Sequence, residues 1–341
     1  MKPKILSLGF VVPQFSANQT EAMQYLGFKS GLTRKIFEAT GIERRYAYFD
    51  PRRYLSEPSW QDMCDEYAKG VVEMGVKAVD DALDEYDRQE IGNITFVSVT
   101  GYTCPSPSYA IAGRLGLRSD IVHTNIIGEG CEAAIPGLER AYDYTLRTGA
   151  KSLMVSVELC SCTYFPTTNE RDIEYVVSAS IFGDGATAAV VGFSNDDQYP
   201  EIHDFESYFD PQYLDLLGYK WEDGRLKVIL SRDVPDIVPP LIAQTVDKML
   251  ERNRLRREDI SHWILHPGGR AVLENLEHEL GLEHGQAYWS WEVMKRFGNM
   301  SSSTIGAIAK YIQKHDSPRG WGVAASMGAG TAVNTLLCHW G

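Results

Sequence analysis

Residues 94–117, ITFVSVTGYTCPSPSYAIAGRLGL, decide the fold because residues 260–282, ISHWILHPGGRAVLENLEHELGL, repeat their pattern. Each is an apolar, β-branched run that predicts a strand, then a Gly/Pro turn, then a helix closing on Leu-Gly-Leu. The echo continues outward. TNIIGEGCEAAIPGLERAYDYTLRTG (124–149) and WEVMKRFGNMSSSTIGAIAKYIQKH (291–315) each predict a short strand, a turn and a longer helix. Each half then ends on two strands around a glycine-rich turn, KSLMVSVEL with GDGATAAVV and GWGVAASM with GAGTAVNTLL. Tandem duplication of an αβ unit accounts for this order, giving an N-terminal half over 1–200 and a C-terminal half over 201–341. Residues 160–180 have no counterpart in the second half, and such an insertion builds a site or an interface. Met63, Tyr67, Val71, Met74, Ala78 and Ala82 recur at three and four residues, predicting a helix over 59–83 that packs on the sheet and does no chemistry.

The 341 residues, 44% of them hydrophobic, suffice for a large core. A net charge of -13 and a pI near 5.1 offer no basic stripe, so nucleic acid is not an expected partner. Six cysteines without a CxxC pair fit free thiols in a reducing compartment, and the eight histidines show no zinc spacing, so no metal site is expected. The amino terminus, two lysines before an apolar run, imitates a signal peptide only faintly, the run being broken by Gly9 and Pro13. No stretch approaches the roughly 20 apolar residues of a membrane span. A cytoplasmic protein without membrane attachment is expected.

Three reactive side chains fall at the strand ends of the two echoes. Cys131 follows Gly128-Glu129-Gly130 and opens a helix, where unpaired N–H groups and the helix dipole favour a thiolate. His266 ends a strand before Pro267-Gly268-Gly269, and Asn299 lies between Gly298 and a serine run. Sites of layered αβ folds gather at carboxyl ends of strands. Taken singly, each has a plainer reading: an inert buried cysteine, a structural histidine, a helix-capping asparagine. The order Cys, His, Asn is also that of papain-like thiol hydrolases, but those carry the cysteine near the mature amino terminus in CG[SA]C[WY], not mid-chain after GEG.

GEGCEAA around Cys131, FGDGATAAVVG from Phe182, GRLKVILSRDVP from Gly224, HPGG at His266 and GNMSSS around Asn299 resemble the thiolase-fold condensing enzymes. Within them, HPGG with GNMSSS resembles the type III polyketide synthases, the chalcone synthase-like family, where fatty-acid initiation synthases read HQAN and GNTS. The resemblance implies an α/β fold, a thiolase-like five-layered αβαβα sandwich of two duplicated halves, and a homodimer. It implies an acyltransferase of polyketide biosynthesis that condenses malonyl-CoA, with loss of carbon dioxide, onto a starter held on Cys131. Its thiolate would be stabilised by a His266 imidazolium, and His266 and Asn299 would hold the malonyl thioester carbonyl. The acyl oxyanion would point at the Cys131 N–H and an N–H of loop 326–330. Substrates would be acyl-CoA or acyl carrier protein thioesters, with no metal or other cofactor.

By the same resemblance Phe182, Val228, Cys104 and Thr163 belong to the substrate cavity, Phe182 as a gatekeeper. Lys35 and Arg34, with Arg44 and Arg45 nearby, would meet the CoA phosphates. Two departures stand out: Ser326-Met327-Gly328-Ala329-Gly330 lacks the proline of the usual GFGPG, and the second gatekeeping phenylalanine is Val228. In the strand 226–230, Val228 shares a face with Leu226 and Leu230, placing it inward. A bulkier or longer starter than usual is therefore expected. A single-round synthase III-like or pyrone-forming enzyme, a non-catalytic partner subunit and a thiol hydrolase remain as other readings.

Overall fold

The computed structural model describes residues 1–83, 86–167, 169–222 and 225–341. Strand β1 (Lys4–Val11) is followed by the short pair β2 (Phe15–Ala17) and β3 (Arg45–Ala47), with α1 (Gln19–Tyr25) and α2 (Gly31–Ala39) between them, and then by α3 (Trp60–Leu83). The first repeat supplies β4 (Ile91–Ser98), α4 (Pro107–Leu115), β5 (Val122–Ile127), α5 (Ala134–Thr148), β6 (Lys151–Glu158), α6 (Ile173–Ile181) and β7 (Gly185–Gly192). These strands lie in the order β5-β4-β6-β7-β1. β4 is parallel to both β5 and β6, whereas β7 is antiparallel to β6 and to β1. Continuous apolar runs such as that of β7 fit strands covered on both faces.

The second repeat begins with β8 (Glu201–Tyr208) and a hairpin of β9 (Leu217–Glu222) and β10 (Arg225–Leu230). There follow α7 (Val234–Arg252), β11 (Ile260–Leu265), α8 (Arg270–Leu280), α9 (Tyr288–Phe297), α10 (Ser303–His315), β12 (Gly320–Met327) and β13 (Val333–Trp340). The order β11-β12-β13-β8, parallel, antiparallel, antiparallel, reproduces β4-β6-β7-β1 strand for strand. Gly116 and Gly281, the glycines of the two Leu-Gly-Leu closures, cap α4 and α8 with φ of 64° and 67°.

One element departs from the echo. The strand expected before Asn299 is the helix α9, because Trp289, Val293 and Phe297 recur every fourth residue and Val293, Met294 and Phe297 are buried together. Among the described residues the C-terminal half therefore has no counterpart of β5.

β1 and β8 touch through the single pair Lys4↔Glu201, where the half-sheets meet. α3 and α4 cover one face of the N-terminal half-sheet, α5 and α10 fill the space between the half-sheets, and α7 and α8 cover the far face of the C-terminal one. Strand alternation distributes the core among these layers. On β6, Leu153, Val155 and Val157 face α3 while Met154 faces the middle layer; on β12, Val323 and Ala325 face α7 while Ala324 faces inward. Five layers, αβαβα, result. α3 lies so close to β1 that a Cβ at Gly9 would stand 2.0 Å from the Ala78 carbonyl oxygen. No helix among the described residues is long and apolar enough to cross a membrane.

Candidate active site

Cys131 stands in the turn after β5, between Gly130 and the start of α5. Gly130 has φ +83°, and a Cβ there would lie 2.9 Å from the Ala329 amide nitrogen, so both conformation and space require glycine. His266 follows β11 and stays in register with β12 through its N–H, which donates to Ala325 O at 2.9 Å. Its side chain is fully buried, and neither ring nitrogen has a hydrogen-bond partner. Asn299 is set by the turn after α9: its N–H donates to Ile181 O at 3.0 Å, and its carbonyl accepts from Gly183 N–H at 2.9 Å. A parallel bridge thereby holds it beside Phe182. Asn299 Nδ2 donates to Gly268 O at 3.0 Å, while Oδ1 accepts from Ser301 N–H at 2.7 Å. One amide thus ties the turn after His266 to the serine run. The Asn299 and Ser301 side chains lie near enough to the Cys131 sulfur to favour its thiolate.

Burial works against the expected thiolate–imidazolium pair. It pushes the Cys131 thiol up to about 12 against the influence of Ser301 and Asn299, and nearby Glu158 and Glu132 push the same way. Burial alone pulls His266 down to about 3. For two groups enclosed without compensating charge, desolvation penalises the charged form of both. Enclosure by itself therefore favours a thiol and a neutral imidazole here.

Sequence reading missed Glu158, which ends β6 fully buried. It accepts from Val99 N–H at 3.0 Å, Thr100 Oγ1 at 3.1 Å and Ser301 Oγ at 3.2 Å, and from Ser302 Oγ. Ser301 therefore stands between a buried carboxyl and the sulfur. A lone acid closing the otherwise apolar run of KSLMVSVEL was the available signal.

A small cavity of about 30 Å³ adjoins Cys131, bounded by Phe182, Val228, Tyr219 and Ser301. Past Val99, Leu217, Gly218, Tyr219 and Ala329, which border both, opens a cavity of about 610 Å³ with mostly apolar walls that include Met63, Tyr67, Ile127, Leu226 and Ile229. Trp60 and Trp221 meet edge to face at 5.8 Å on its wall. The first turns of α3 thus line the cavity, beyond the purely packing part expected of that helix.

Thr163 is buried one step behind this wall, near the Tyr219 hydroxyl, and donates to Cys160 O at 2.8 Å. Cys104 is exposed and lines neither cavity, because the turn after β4 carries it outward. Arg45 does not face solvent either: it is buried, with its guanidinium bonded to Gln19 Oε1, Ala179 O and Phe182 O. It braces the gatekeeper segment and is unavailable to a phosphate. Arg34 and Lys35 are exposed on α2. Gly224, where the motif of β10 begins, lies outside the described residues. In loop 326–330 the Gly328 and Ala329 N–H groups are already bonded to Ala332 O and Glu129 O, so neither is the free donor expected for an acyl oxyanion.

Two family models match most of the chain, leaving β1 to β3 outside: chalcone and stilbene synthases, N-terminal domain, over residues 52–195, and the C-terminal domain of the same enzymes over 206–340. The chain belongs to the chalcone and stilbene synthase family. It is 27% identical to a 3,5-dihydroxyphenylacetyl-CoA synthase of Streptomyces toyocaensis over 99% of this chain and 90% of that one. It is 33% identical to the alpha-pyrone synthesis polyketide synthase-like Pks18 of Mycobacterium tuberculosis over 74% of this chain and 66% of that one. The crystal structure of PKS-I from the brown alga Ectocarpus siliculosus superposes with a TM-score of 0.91 at 24% identity, covering 99% and 98% of the two chains, and shares the fold. The chain is accordingly a type III polyketide synthase-like acyltransferase, performing decarboxylative condensation of malonyl-CoA onto an acyl starter.

Proposed function

We propose that Cys131 carries the acyl chain and that His266 and Asn299 hold the malonyl thioester during decarboxylation. The observation that carries this is the meeting of the enclosed Cys131 sulfur with Asn299, whose turn is tied to that of an unpartnered, buried His266. As the starter thioester arrives, the Cys131 proton passes to the neutral imidazole and the sulfur attacks the carbonyl. The C–S bond to CoA breaks, and the leaving thiolate takes that proton back. His266 is then neutral again, and its ring N–H and the Asn299 Nδ2–H face the malonyl thioester oxygen. When the bond to the carboxylate breaks and carbon dioxide leaves, the enolate charge falls on that oxygen, where two neutral donors stabilise it without competing as bases. The enolate carbon attacks the acyl-Cys131 carbonyl, the C–S bond breaks and Cys131 is freed. These steps call on no cofactor beyond the thioester substrates.

The 610 Å³ apolar cavity past Tyr219 receives the bulky or long end of the starter, and Val228 in place of a phenylalanine leaves the chamber at Cys131 open toward it. Arg34 and Lys35 supply the charges for CoA phosphates. Two copies associate through β5, an edge strand that exposes Val122 and Ile127, with Tyr102 and Tyr109 exposed nearby. The half boundary at Pro200/Glu201 and a cytoplasmic location belong to the same proposal. The likeness to an alpha-pyrone synthesis enzyme favours a pyrone as one form of release. Incubation of purified protein with malonyl-CoA and short, aromatic and long acyl-CoAs tests the whole reading. Starter-dependent products heavier by whole acetyl units support it, and free acid with no malonyl-CoA consumed rejects it in favour of a hydrolase.

A further inference from the structure

Glu132 follows the nucleophile, is 2% exposed and has no role in the steps above. Its carboxyl is wedged beneath loop 326–330, where a Cβ at Gly328 would stand 1.2 Å from Glu132 Oε2 and 2.5 Å from the Glu129 carbonyl oxygen. Oε2 receives no hydrogen bond. Two acceptor oxygens facing one another in a buried place repel unless a proton lies between them, and a carboxylic acid supplies one. The Ala329 N–H, which only a residue other than proline supplies, donates to Glu129 O at 2.8 Å and lies near enough to the Glu132 carboxyl to influence its proton. Ser326 Oγ donates to Cys131 O at 2.9 Å, a second tie between the same loop and the same turn.

We propose that Glu132 is a neutral carboxylic acid that locks loop 326–330 onto the nucleophile turn 128–132, accepting from Ala329 N–H and donating to Glu129 O. It is a positioning residue, acting through the turn that carries the Cys131 sulfur, and it rests on the reading of Cys131 as acyl carrier. Burial, and after it the Glu129 carboxylate, hold this acid well above the usual carboxylate range against the N–H groups of Glu132 itself and Ala329. An ionised Glu132 is one of the charges that push the Cys131 thiol up, so its neutrality removes that push and serves the nucleophile.

Glu132→Gln keeps a donor and an acceptor at the same place, whereas Glu132→Ala removes both. With the lock, the glutamine variant stays within about threefold of the parent turnover, and the alanine variant loses on the order of 10- to 100-fold in kcat with malonyl-CoA KM little changed, the scale of a slightly misplaced reacting group. An infrared difference spectrum of parent minus Glu132→Gln at neutral pH shows a protonated-carboxyl stretch, read without any activity and without the alanine variant. Absence of that band, glutamine falling as far as alanine, or alanine behaving as the parent overturns the proposal. Failure of the acyl-carrier reading would appear separately, as an acyl adduct that survives Cys131→Ala.

Discussion

Leu217 begins β9 at the neck between the chamber of Cys131 and the 610 Å³ cavity, and borders both. Leu217→Trp places an indole in that neck. Because Leu217 borders open volume as well as packing against the core around α7, part of the 1–3 kcal/mol cost of overfilling a packed core is avoided. With an unfolding entropy of roughly 2 cal/mol/K per residue, even 1 kcal/mol over 341 residues would move the melting temperature only about 1–2 °C. The effect on substrate is larger. If four methylenes of a decanoyl starter lie in the cavity, at about 0.8 kcal/mol each, closing the neck removes roughly 3 kcal/mol, near 200-fold in kcat/KM. Acetyl-CoA, which ends before the neck, keeps its kcat/KM within about threefold. The assay is competition between acetyl-CoA and decanoyl-CoA for loading, read by intact-protein mass, with melting followed in parallel. Equal loss for both starters at unchanged melting, or no loss for either, would refute the cavity assignment.

Asn299→Ala removes one of two oxyanion donors and should lower malonyl-CoA decarboxylation on the order of 100-fold or more while Cys131 still accepts acyl groups; near-normal decarboxylation contradicts its role. With the Cys131 thiol pushed up to about 12, only its deprotonated fraction reacts with iodoacetamide, so alkylation of the free enzyme should climb about tenfold per pH unit from 7 to 9 and slow further in Ser301→Ala, which loses a nearby hydroxyl that favours the thiolate. A plateau already reached at neutral pH would instead reveal the ion pair. The chamber bounded by Val228 holds only about 30 Å³, about one water's share of liquid. Val228→Phe should therefore lower the melting temperature by a few degrees and impair loading of long starters more than acetyl; unchanged melting with unchanged starter ratios would reject the placement of Val228 in the wall of that chamber.

Much of this architecture was legible in the sequence because duplicated strands buried on both faces leave long apolar runs, and Gly116 and Gly281 punctuate both repeats alike. The segment before Asn299 misled because homology between halves suggested a strand, whereas the four-residue spacing of Trp289, Val293 and Phe297 favours the helix that forms. Cys131, His266 and Asn299 stood out by the turns around them. What their environment does to their protons did not, since the pull of His266 toward its neutral form arises from enclosure by segments far apart in sequence. Arg45 shows the same limit: one of two adjacent arginines is drawn inside by the carbonyls of Ala179 and Phe182, more than a hundred residues away. Glu158 and Ser301 meet across 143 positions, and no local pattern announces such a contact.

The assignment of Cys131 as the acyl carrier is tested most directly by intact-protein mass spectrometry after exposure to a starter acyl-CoA without malonyl-CoA. A single acyl adduct is expected on the parent enzyme, absent from Cys131→Ala and discharged into product when malonyl-CoA is added. An adduct of the same mass on Cys131→Ala, or one that malonyl-CoA leaves in place, would contradict it.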